Sequence, residues 1–200
     1  MFITFEGIDF SGKSTQAKQL YNYLKRKKKK VIFVREPGGT KLSEKIRELL
    51  LDKKNDNMTN VSEFLLFSAS RNQLTNEIII PYLKKKYIVI CDRYYDSSTA
   101  YQGYGGKIEL NSLSLVNKIA SSGLIPDRTF LLDISYKDTL KRKTKTGTED
   151  RIEKRKSDYY NKVAKGYLTI AKQNRKRFRI LDAMQPKEEI FIKILKDLNI

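Results

Sequence analysis

Near the amino terminus, an apolar run over residues 2–5 precedes the pattern Gly-x-x-x-x-Gly-Lys-Ser, whose residue types can bind phosphate. The glycines are Gly7 and Gly12, and Lys13 and Ser14 complete the pattern. Glycine permits backbone angles, and a close approach of an anion, that a Cβ atom would prevent. The lysine of such a loop reaches the β- and γ-phosphates of a nucleotide, the serine hydroxyl binds magnesium, and the loop N–H groups face the anion. The sequence therefore predicts a nucleotide phosphate site in this loop.

The residues after the loop have the periodicity of a helix. Apolar side chains recur at i, i+3, i+4 and i+7, as Ala17, Leu20, Tyr21 and Leu24. A strand before the loop and a helix after it distinguish a phosphate-binding loop from an ordinary glycine-containing surface turn.

Strand and helix patterns alternate along the rest of the chain. Four further apolar runs predict strands, at residues 31–34, 87–91, 129–134 and 178–181. Polar residues follow the strand at 87–91, with four glycines between Gly103 and Gly123, and they predict a loop there. Pro81 is expected to kink or restart the long helical stretch that runs from about Asn60 to Lys86. The alternation predicts an α/β fold, a five-stranded parallel sheet with helices on both faces, as a single domain over residues 1–200. In such sheets the ligand lies at the carboxyl ends of the strands.

Two polar motifs follow directly after predicted strands. Arg35-Glu36-Pro37-Gly38-Gly39-Thr40 follows the second strand, and Asp92-Arg93-Tyr94 follows the third. An aspartate at this position can hold magnesium beside the phosphates, and the arginine next to it can bind a phosphoryl group through two hydrogen bonds. As a surface ion pair, Asp92 and Arg93 would contribute little. Their strand-end position favours the functional interpretation.

Composition and charge limit the other classes of function. The net charge is +18, but its densest run, Lys25–Lys30, follows the first helix, where cations are favoured at the carboxyl end. We therefore expect a solvated helix end and no nucleic-acid partner. The chain has no histidine, which excludes imidazole catalysis, and its one cysteine, Cys91, is compatible with a reducing compartment. No apolar run has membrane-spanning length and no signal segment opens the chain, so we expect a cytoplasmic protein with no membrane partner.

Taken together, the motifs resemble those of one family, thymidylate kinase of the bacterial type. In chain order they are Gly7-x-Asp9-x-x-Gly12-Lys13-Ser14-Thr15, Arg35-Glu36-Pro37-Gly38-Gly39-Thr40, Phe67-x-x-x-Arg71, Asp92-Arg93-Tyr94, Ala100-Tyr101-Gln102-Gly103, Asp150-Arg151-Ile152-Glu153 and Leu181-Asp182-Ala183-x-Gln185-Pro186. Each motif is weak alone, but their order and spacing are specific and extend almost to the end of the chain. The resemblance implies a P-loop nucleoside monophosphate kinase fold with a mobile lid. It also implies phosphoryl transfer from ATP to thymidine 5′-monophosphate (dTMP), with Mg²⁺ as cofactor. It further implies a homodimer, whose interface we expect on the apolar face around Phe64 to Leu74.

The resemblance further implies roles for single residues. The ATP phosphates would be held by Gly7, Ile8, Asp9, Phe10, Ser11, Gly12, Lys13, Ser14 and Thr15, with Mg²⁺ at Ser14 and Asp92. The dTMP pocket would be formed by Asp9, Glu36, Pro37, Phe67, Arg71, Arg93, Ser98, Tyr101 and Gln102. Within that pocket, Phe67 would stack on thymine and Arg71 would bind its carbonyl edge. The catalytic set would be Lys13, Asp9, Arg93 and Arg151.

The basic segment from about residue 141 to 153 is expected to be the lid. In the family, an arginine that clamps the γ-phosphate comes from the phosphate loop or from the lid. Because Phe10 and Ser11 are not basic, the lid is expected to supply it. Arg151 is the first candidate and Arg142 the second, with Arg142 and Gln185 near adenine. Phe10 is also a departure from the family, whose bacterial members usually have glycine there.

Other interpretations stay open at this point. A related deoxynucleoside kinase would need a carboxylate base beside a sugar hydroxyl, whereas Arg71 and Arg93 favour a monophosphate acceptor. A phosphate-loop switch that reads guanine usually has Asn-Lys-x-Asp, and Asn117-Lys118-Ile119-Ala120 lacks the aspartate. A nucleic-acid binder is supported only by the net charge.

Overall fold

A computed structural model describes residues 1–143 and 150–200 of the chain. They contain one five-stranded parallel sheet in the spatial order β2-β3-β1-β4-β5. Its strands are β1 Phe2–Glu6, β2 Val31–Arg35, β3 Ile88–Asp92, β4 Arg128–Asp133 and β5 Phe178–Asp182. All five predicted strands are present, and the α/β fold class predicted from the sequence is confirmed.

Strand β1 lies at the centre of the sheet and pairs with β3 on one side and β4 on the other. All of its residues are buried, as expected for a parallel strand that is covered on both faces. Alternate side chains enter different cores, with Ile3 and Phe5 in one hydrophobic cluster and Phe2 in the other. The strand order reverses at β1, and such a switch point opens a crevice at the carboxyl end of the sheet.

Helices cover both faces of this sheet. Their bounds are α1 Lys13–Arg26, α2 Lys41–Leu51, α3 Asn60–Leu74, α4 Ile80–Lys84, α5 Tyr95–Ser98, α6 Leu110–Ala120, α7 Tyr136–Arg142, α8 Ser157–Gln173 and α9 Lys187–Leu198. Several begin at a side-chain cap: Thr40 accepts the amide of Ser43, and Thr59 accepts that of Ser62. Such caps satisfy N–H groups that have no partner inside the helix. In the part of the chain that the structure describes, no helix is long and apolar enough to cross a membrane.

The expected interruption near Pro81 is confirmed. Helix α3 ends at Leu74 and is followed by a π-helical turn over Thr75–Ile79, after which α4 begins with Pro81 in its first turn. Proline is tolerated in the first turn because that position needs no intrahelical N–H donor. The long stretch is therefore split into two helices.

The stretch after β3, which the sequence suggested was a polar loop, is helical. A π-helical segment, Thr99–Gly105, continues directly from α5. It packs tightly on α8, since a Cβ atom at Gly166 would lie 2.7 Å from the side chain of Tyr104. This contact between distant residues stabilises a helix that the local glycine content argued against.

Candidate active site

The phosphate loop lies between β1 and α1, at the switch point of the sheet. Gly7 has a φ of +142°, and a Cβ atom there would lie 2.7 Å from the carbonyl oxygen of Leu132. Helix α1 has no side-chain cap at Gly12 and no acidic residue in its first turn. Its first N–H groups and the positive end of its dipole are therefore directed at the loop, as in an anion site.

Phe10 in this loop has a φ of +62°, in the left-handed region that glycine adopts freely. A glycine would adopt this conformation without strain. The Phe10 ring is 38% exposed, and the ammonium of Lys143 lies 5.7 Å from its centroid. The bulky side chain therefore extends outward from the loop.

Lys13, which is buried, and Asp9, which is half-buried, form an ion pair within the loop. The Lys13 ammonium lies 3.6 Å from Asp9 Oδ1, and Lys13 is only 6% exposed. Burial lowers the pKa of Lys13, as does the charge of Arg93, while Asp9 opposes the shift. Burial alone would raise the pKa of Asp9, but Arg93 and Lys13 together hold it well below its usual range. Asp9 is therefore an ionised carboxylate at neutral pH.

Arg93 joins the loop to the crevice. Its Nη1 atom donates to the carbonyl oxygen of Gly7 at 2.8 Å, and its Nη2 atom donates to Asp9 Oδ1 at 2.7 Å. The guanidinium carbon lies 5.1 Å from the centroid of the Tyr101 ring, and the Tyr101 hydroxyl donates to Asp9 Oδ2 at 3.0 Å. A cation and a carboxylate are thus held side by side at the carboxyl end of β1.

A cavity of about 130 Å³ opens beside Arg93, and we call it the acceptor cavity. Eight of the nine residues predicted for the dTMP pocket line it: Asp9, Glu36, Pro37, Phe67, Arg93, Ser98, Tyr101 and Gln102. These residues come from five separate segments of the chain. The tertiary fold brings them together as the motif pattern predicted.

The ninth residue, Arg71, is fully buried behind the wall of this cavity. Its guanidinium donates to Glu36 Oε1 at 2.8 Å, to Ser98 Oγ at 2.5 Å and to Asn117 Oδ1 at 2.5 Å. Burial raises the pKa of Glu36 even though Arg71 opposes the shift. Glu36 Oε2 is buried and has no hydrogen-bond partner among the described residues. Arg71 thus holds the lining residues Glu36 and Ser98 in place. The second carboxylate oxygen of Glu36 remains available to a ligand.

The cavity also has lining residues to which no role was assigned from the motifs. Arg47 of α2 lines it and donates to the carbonyl oxygen of Pro37 at 3.1 Å. Asp150 and Ser97 lie on other sides of the same cavity. Arg47 follows no strand and belongs to an ordinary amphipathic helix, so no local signal could have identified it.

The predicted magnesium ligands fit a divalent cation. Asp92 Oδ1 is buried at the end of β3 without a hydrogen-bond partner among the described residues, and the hydroxyl of Ser14 lies at the start of α1. The described residues contain no cluster of three or more carboxylate, cysteine or histidine ligands. A magnesium ion held here would complete its octahedral shell with water and nucleotide phosphates, which is its usual mode of binding.

A second groove, of about 330 Å³, runs along the outer side of the loop, and we call it the nucleotide groove. It contains two residues predicted to lie near adenine, Arg142 and Gln185, together with loop residues from Phe10 to Thr15. Arg142 Nη1 donates to the carbonyl oxygen of Ser11 at 3.2 Å, and Nη2 donates to that of Ala183 at 2.6 Å. Arg142 and Gln185 therefore lie in one groove with residues of the phosphate loop.

Arg151, the first candidate for the arginine that clamps the γ-phosphate, is paired with other groups in this arrangement. Arg151 is 7% exposed, and its guanidinium donates to Glu63 Oε2 at 2.6 Å and to the carbonyl oxygen of Leu50 at 2.9 Å. The reason is that the buried carboxylate of Glu63 requires a cationic partner. Arg155 is a second partner of Glu63, at 2.8 Å. Part of the predicted lid, residues 144–149, lies outside the described residues.

This geometry is typical of one class of protein. A parallel sheet with a phosphate loop after its central strand, and with a separate acceptor cavity beside that loop, is the arrangement of a P-loop nucleoside monophosphate kinase. The family model for thymidylate kinase matches residues 5–194. The chain belongs to the thymidylate kinase family, and it is therefore an enzyme of the phosphotransferase class.

Similar proteins support this assignment over the full length of the chain. A thymidylate kinase of Chlorobaculum tepidum is 44% identical over 208 residues, which cover 100% of this chain and 97% of that protein. One of Kosmotoga olearia is 41% identical and covers 98% of this chain and 94% of its own. The crystal structure of thymidylate kinase from Ehrlichia chaffeensis superposes with a TM-score of 0.80 at 36% identity, covering 99% of this chain and 98% of the other.

Proposed function

We propose that the chain transfers the γ-phosphoryl group of ATP to dTMP, giving ADP and thymidine 5′-diphosphate (dTDP). The observation that carries this proposal is the acceptor cavity, in which residues of five separate motifs line one space beside the phosphate loop. Family membership favours the same reaction. Neither a guanine-reading switch nor a nucleic-acid binder is favoured by any feature of the site.

In this proposal the acceptor cavity holds dTMP. Phe67 stacks on thymine, while Glu36 and Ser98, which Arg71 holds in place, bind the polar edge of the base. Tyr101 packs where a ribose 2′-hydroxyl would lie, which selects the deoxy sugar, and the ionised Asp9 accepts from the 3′-hydroxyl. Arg93 and Arg47 supply positive charge to the acceptor phosphate, since guanidinium groups bind phosphate oxygens in pairs.

The phosphate loop and the nucleotide groove hold ATP. The free N–H groups of the loop and of α1, together with Lys13, bind the phosphates, and Arg142 and Gln185 lie along the adenine. Ser14 and Asp92 would hold Mg²⁺. When bound, the ion neutralises charge on the β- and γ-phosphates.

The reaction then depends on alignment and charge. Phosphoryl transfer proceeds through a loose transition state whose negative charge is spread over the equatorial oxygens, so positioned cations are more important than a strong base. Lys13 and Arg93 both contact Oδ1 of Asp9 and can place positive charge around the transferring group. Arg142, already in contact with the loop, takes the lid role first expected of Arg151.

The test is an ADP-release assay with ATP across a panel of acceptors: dTMP, dUMP, dCMP, dGMP and thymidine. We expect kcat/KM to be highest for dTMP and turnover to be lost when magnesium is chelated. A higher kcat/KM for another monophosphate would overturn the base-pocket assignment. Absence of turnover with every acceptor would overturn the proposed reaction.

We further propose that the enzyme is a homodimer formed through α3 and α6. These helices pack side by side, as shown by the hydrogen bond from Asn72 to the carbonyl oxygen of Ala120. Large apolar side chains are exposed on both: Val61, Leu65, Leu115 and Ile119. The face first considered, around Phe64 to Leu74, cannot serve as a whole because both of these residues are buried in the core. Because ATP and dTMP are intracellular metabolites, we place the enzyme in the cytoplasm.

A further inference from the structure

A cluster of three polar side chains contacts Arg93 on the side away from Asp9. It consists of Glu6 at the end of β1, Ser97 in α5 and Tyr167 in α8. Glu6 is 0% exposed and Tyr167 is 1% exposed, whereas Ser97 is half-buried and also lines the acceptor cavity. We call these three residues the triad.

The carboxyl group of Glu6 holds the two hydroxyls of the triad. Ser97 Oγ donates to Glu6 Oε2 at 2.6 Å, and the Tyr167 hydroxyl donates to the same oxygen at 3.0 Å. The other oxygen, Oε1, accepts the backbone N–H of Tyr94 at 2.7 Å. Both oxygens of Glu6 are thus engaged, and the position of the carboxyl group is fixed.

The hydroxyls in turn receive Arg93. Its Nη1 atom lies 3.1 Å from Ser97 Oγ, 3.1 Å from the Tyr167 hydroxyl and 2.8 Å from the carbonyl oxygen of Gly7, so its two hydrogens are shared among three acceptors. A hydroxyl can present a lone pair to Arg93 only if its own hydrogen is directed elsewhere. Here the hydroxyl hydrogens are directed within the triad, to Glu6 or across the 2.8 Å contact between Ser97 Oγ and the Tyr167 hydroxyl. The Nη1 edge is therefore held inward by the triad, while the Nη2 edge faces Asp9 and the acceptor cavity.

Burying a carboxyl group at this position lowers the stability of the folded protein. Burial, together with the charge of Asp96 on α5, raises the pKa of Glu6 to about 8, although Ser97, Arg93 and the amide of Tyr94 lower it. An apolar side chain would fill the same space without this penalty. Groups that destabilise the fold next to a reaction centre are often present for function.

We propose that Glu6, Ser97 and Tyr167 are positioning residues that orient Arg93, so that its Nη2 edge is presented to the phosphate of the acceptor nucleotide. This inference rests on the proposed function, in which Arg93 binds that phosphate. Glu6 and Tyr167 do not line the acceptor cavity, so they do not touch the substrate in this proposal. The triad acts by restricting the guanidinium to one orientation before dTMP binds.

The test compares Tyr167→Phe, Ser97→Ala and Glu6→Gln with wild type and with Tyr160→Phe. Tyr160 is an equally buried tyrosine of the same helix whose hydroxyl donates instead to the carbonyl oxygen of Ile152. For each triad variant we expect kcat/KM for dTMP to fall at least about 10-fold, the effect of losing one hydrogen bond to a charged group. The KM for ATP is expected to stay within about 2-fold of wild type, because that site is not involved.

A binding experiment separates positioning from packing. By calorimetry, triad variants should bind dTMP about 10-fold more weakly than wild type but thymidine equally well, since thymidine has no phosphate for Arg93 to bind. Wild-type dTMP affinity in both Tyr167→Phe and Ser97→Ala would overturn the inference. Equal losses for dTMP and thymidine, or the same loss in Tyr160→Phe, would also overturn it.

The failure of the proposed function has a different signature. If wild type does not turn over dTMP, or if Arg93→Lys binds dTMP as wild type does, the role of Arg93 is wrong and the inference falls with it. If Arg93→Lys is impaired while the triad variants are not, only the inference fails. Circular dichroism and the melting temperature of each variant show whether it is folded.

Discussion

At the scale of single residues, two linked ion pairs connect the phosphate loop with the acceptor cavity. Lys13, Asp9 and Arg93 alternate in sign, and the separations of their charged atoms are 3.6 Å and 2.7 Å. Oδ1 of Asp9 contacts both cations, and its negative charge favours the protonated form of each by raising the pKa of Lys13 and of Arg93. The positive charge that phosphoryl transfer requires is thus present in the described part of the chain.

We predict that Lys13→Ala lowers kcat at least ~100-fold with the fold intact, because a charge contact made in the transition state is lost. The matched control is Lys18→Ala, which removes an exposed lysine of the same helix and should leave kcat unchanged. Steady-state ADP release and circular dichroism measure the two quantities. Turnover of Lys13→Ala close to that of wild type would refute the role of Lys13.

The buried carboxyl group of Glu6 predicts a pH dependence of stability. Its pKa in the folded state, about 8, is above its ordinary value of 4.5, so between these pH values the folded protein retains a proton that the unfolded chain releases. The contribution is fully present below about pH 4.5 and is lost as pH rises through about 8, with a slope of at most about 1.4 kcal/mol per pH unit.

Urea unfolding of wild type and Glu6→Gln from pH 4.5 to 9 tests this sign. The difference isolates Glu6, because glutamine does not titrate and all other groups are common to both proteins. We expect wild type to lose stability relative to the variant as pH rises. A difference that is flat, or that changes in the opposite direction, would contradict the raised pKa.

At the scale of elements, helix α3 has a double role. One side of it provides Phe67 to the acceptor cavity, and its first turns provide Glu63, which binds Arg151 and Arg155 and accepts from Gln102 at 2.9 Å. Arg151, near the end of the predicted lid, and Arg155, just after it, are thereby attached to the helix that forms the cavity wall. Arg151 is a structural anchor of this segment in the described arrangement.

We predict that Arg151→Ala lowers the free energy of unfolding by about 3 kcal/mol, since removing one partner of a buried ion pair leaves the other poorly compensated. Arg175→Ala, which removes an exposed arginine, is the control and should change stability by less than about 0.5 kcal/mol. Urea denaturation gives both values. Unchanged stability combined with a 100-fold loss of kcat would instead restore Arg151 as the phosphate clamp.

At the scale of the whole molecule, one sheet connects both substrate sites with the cores on its two faces. Strand β1 contributes side chains to both hydrophobic clusters. Unfolding of the helices on one face of the sheet would therefore also disturb the cluster on the other face. We therefore propose that residues 1–200 form a single domain that unfolds cooperatively. Circular dichroism and tyrosine fluorescence should report one common urea midpoint, and separate midpoints would contradict the proposal.

The homodimer proposal predicts a mass in solution of twice the chain mass of 23.3 kDa. Light scattering should give this value for wild type and the monomer value for Leu115→Glu, because a charge in an apolar interface is strongly unfavourable. Ile192→Glu is the matched control, as Ile192 is also exposed, at 63%, but lies on α9. A monomeric wild type at micromolar concentration would reject the proposal.

The sequence by itself determined the sheet, its five strands, the phosphate loop and most of the acceptor residues. These follow from local properties: apolar runs for buried parallel strands, glycines where the backbone needs a positive φ, and polar motifs directly after strands. The helical conformation after β3 was missed, since tight packing on α8 outweighs its glycines. That contact is not visible in local composition.

Only the tertiary structure decided which partner each buried charge has. Arg151 lies 88 residues from Glu63 along the chain, and Tyr167 lies 161 residues from Glu6, so no spacing rule relates them. A buried charge takes the partner that the fold brings within hydrogen-bond distance, because the free energy of burying it alone is prohibitive. For that reason the sequence identified the types of residue that act here, and the fold selected which arginines face the substrates and which stabilise the structure.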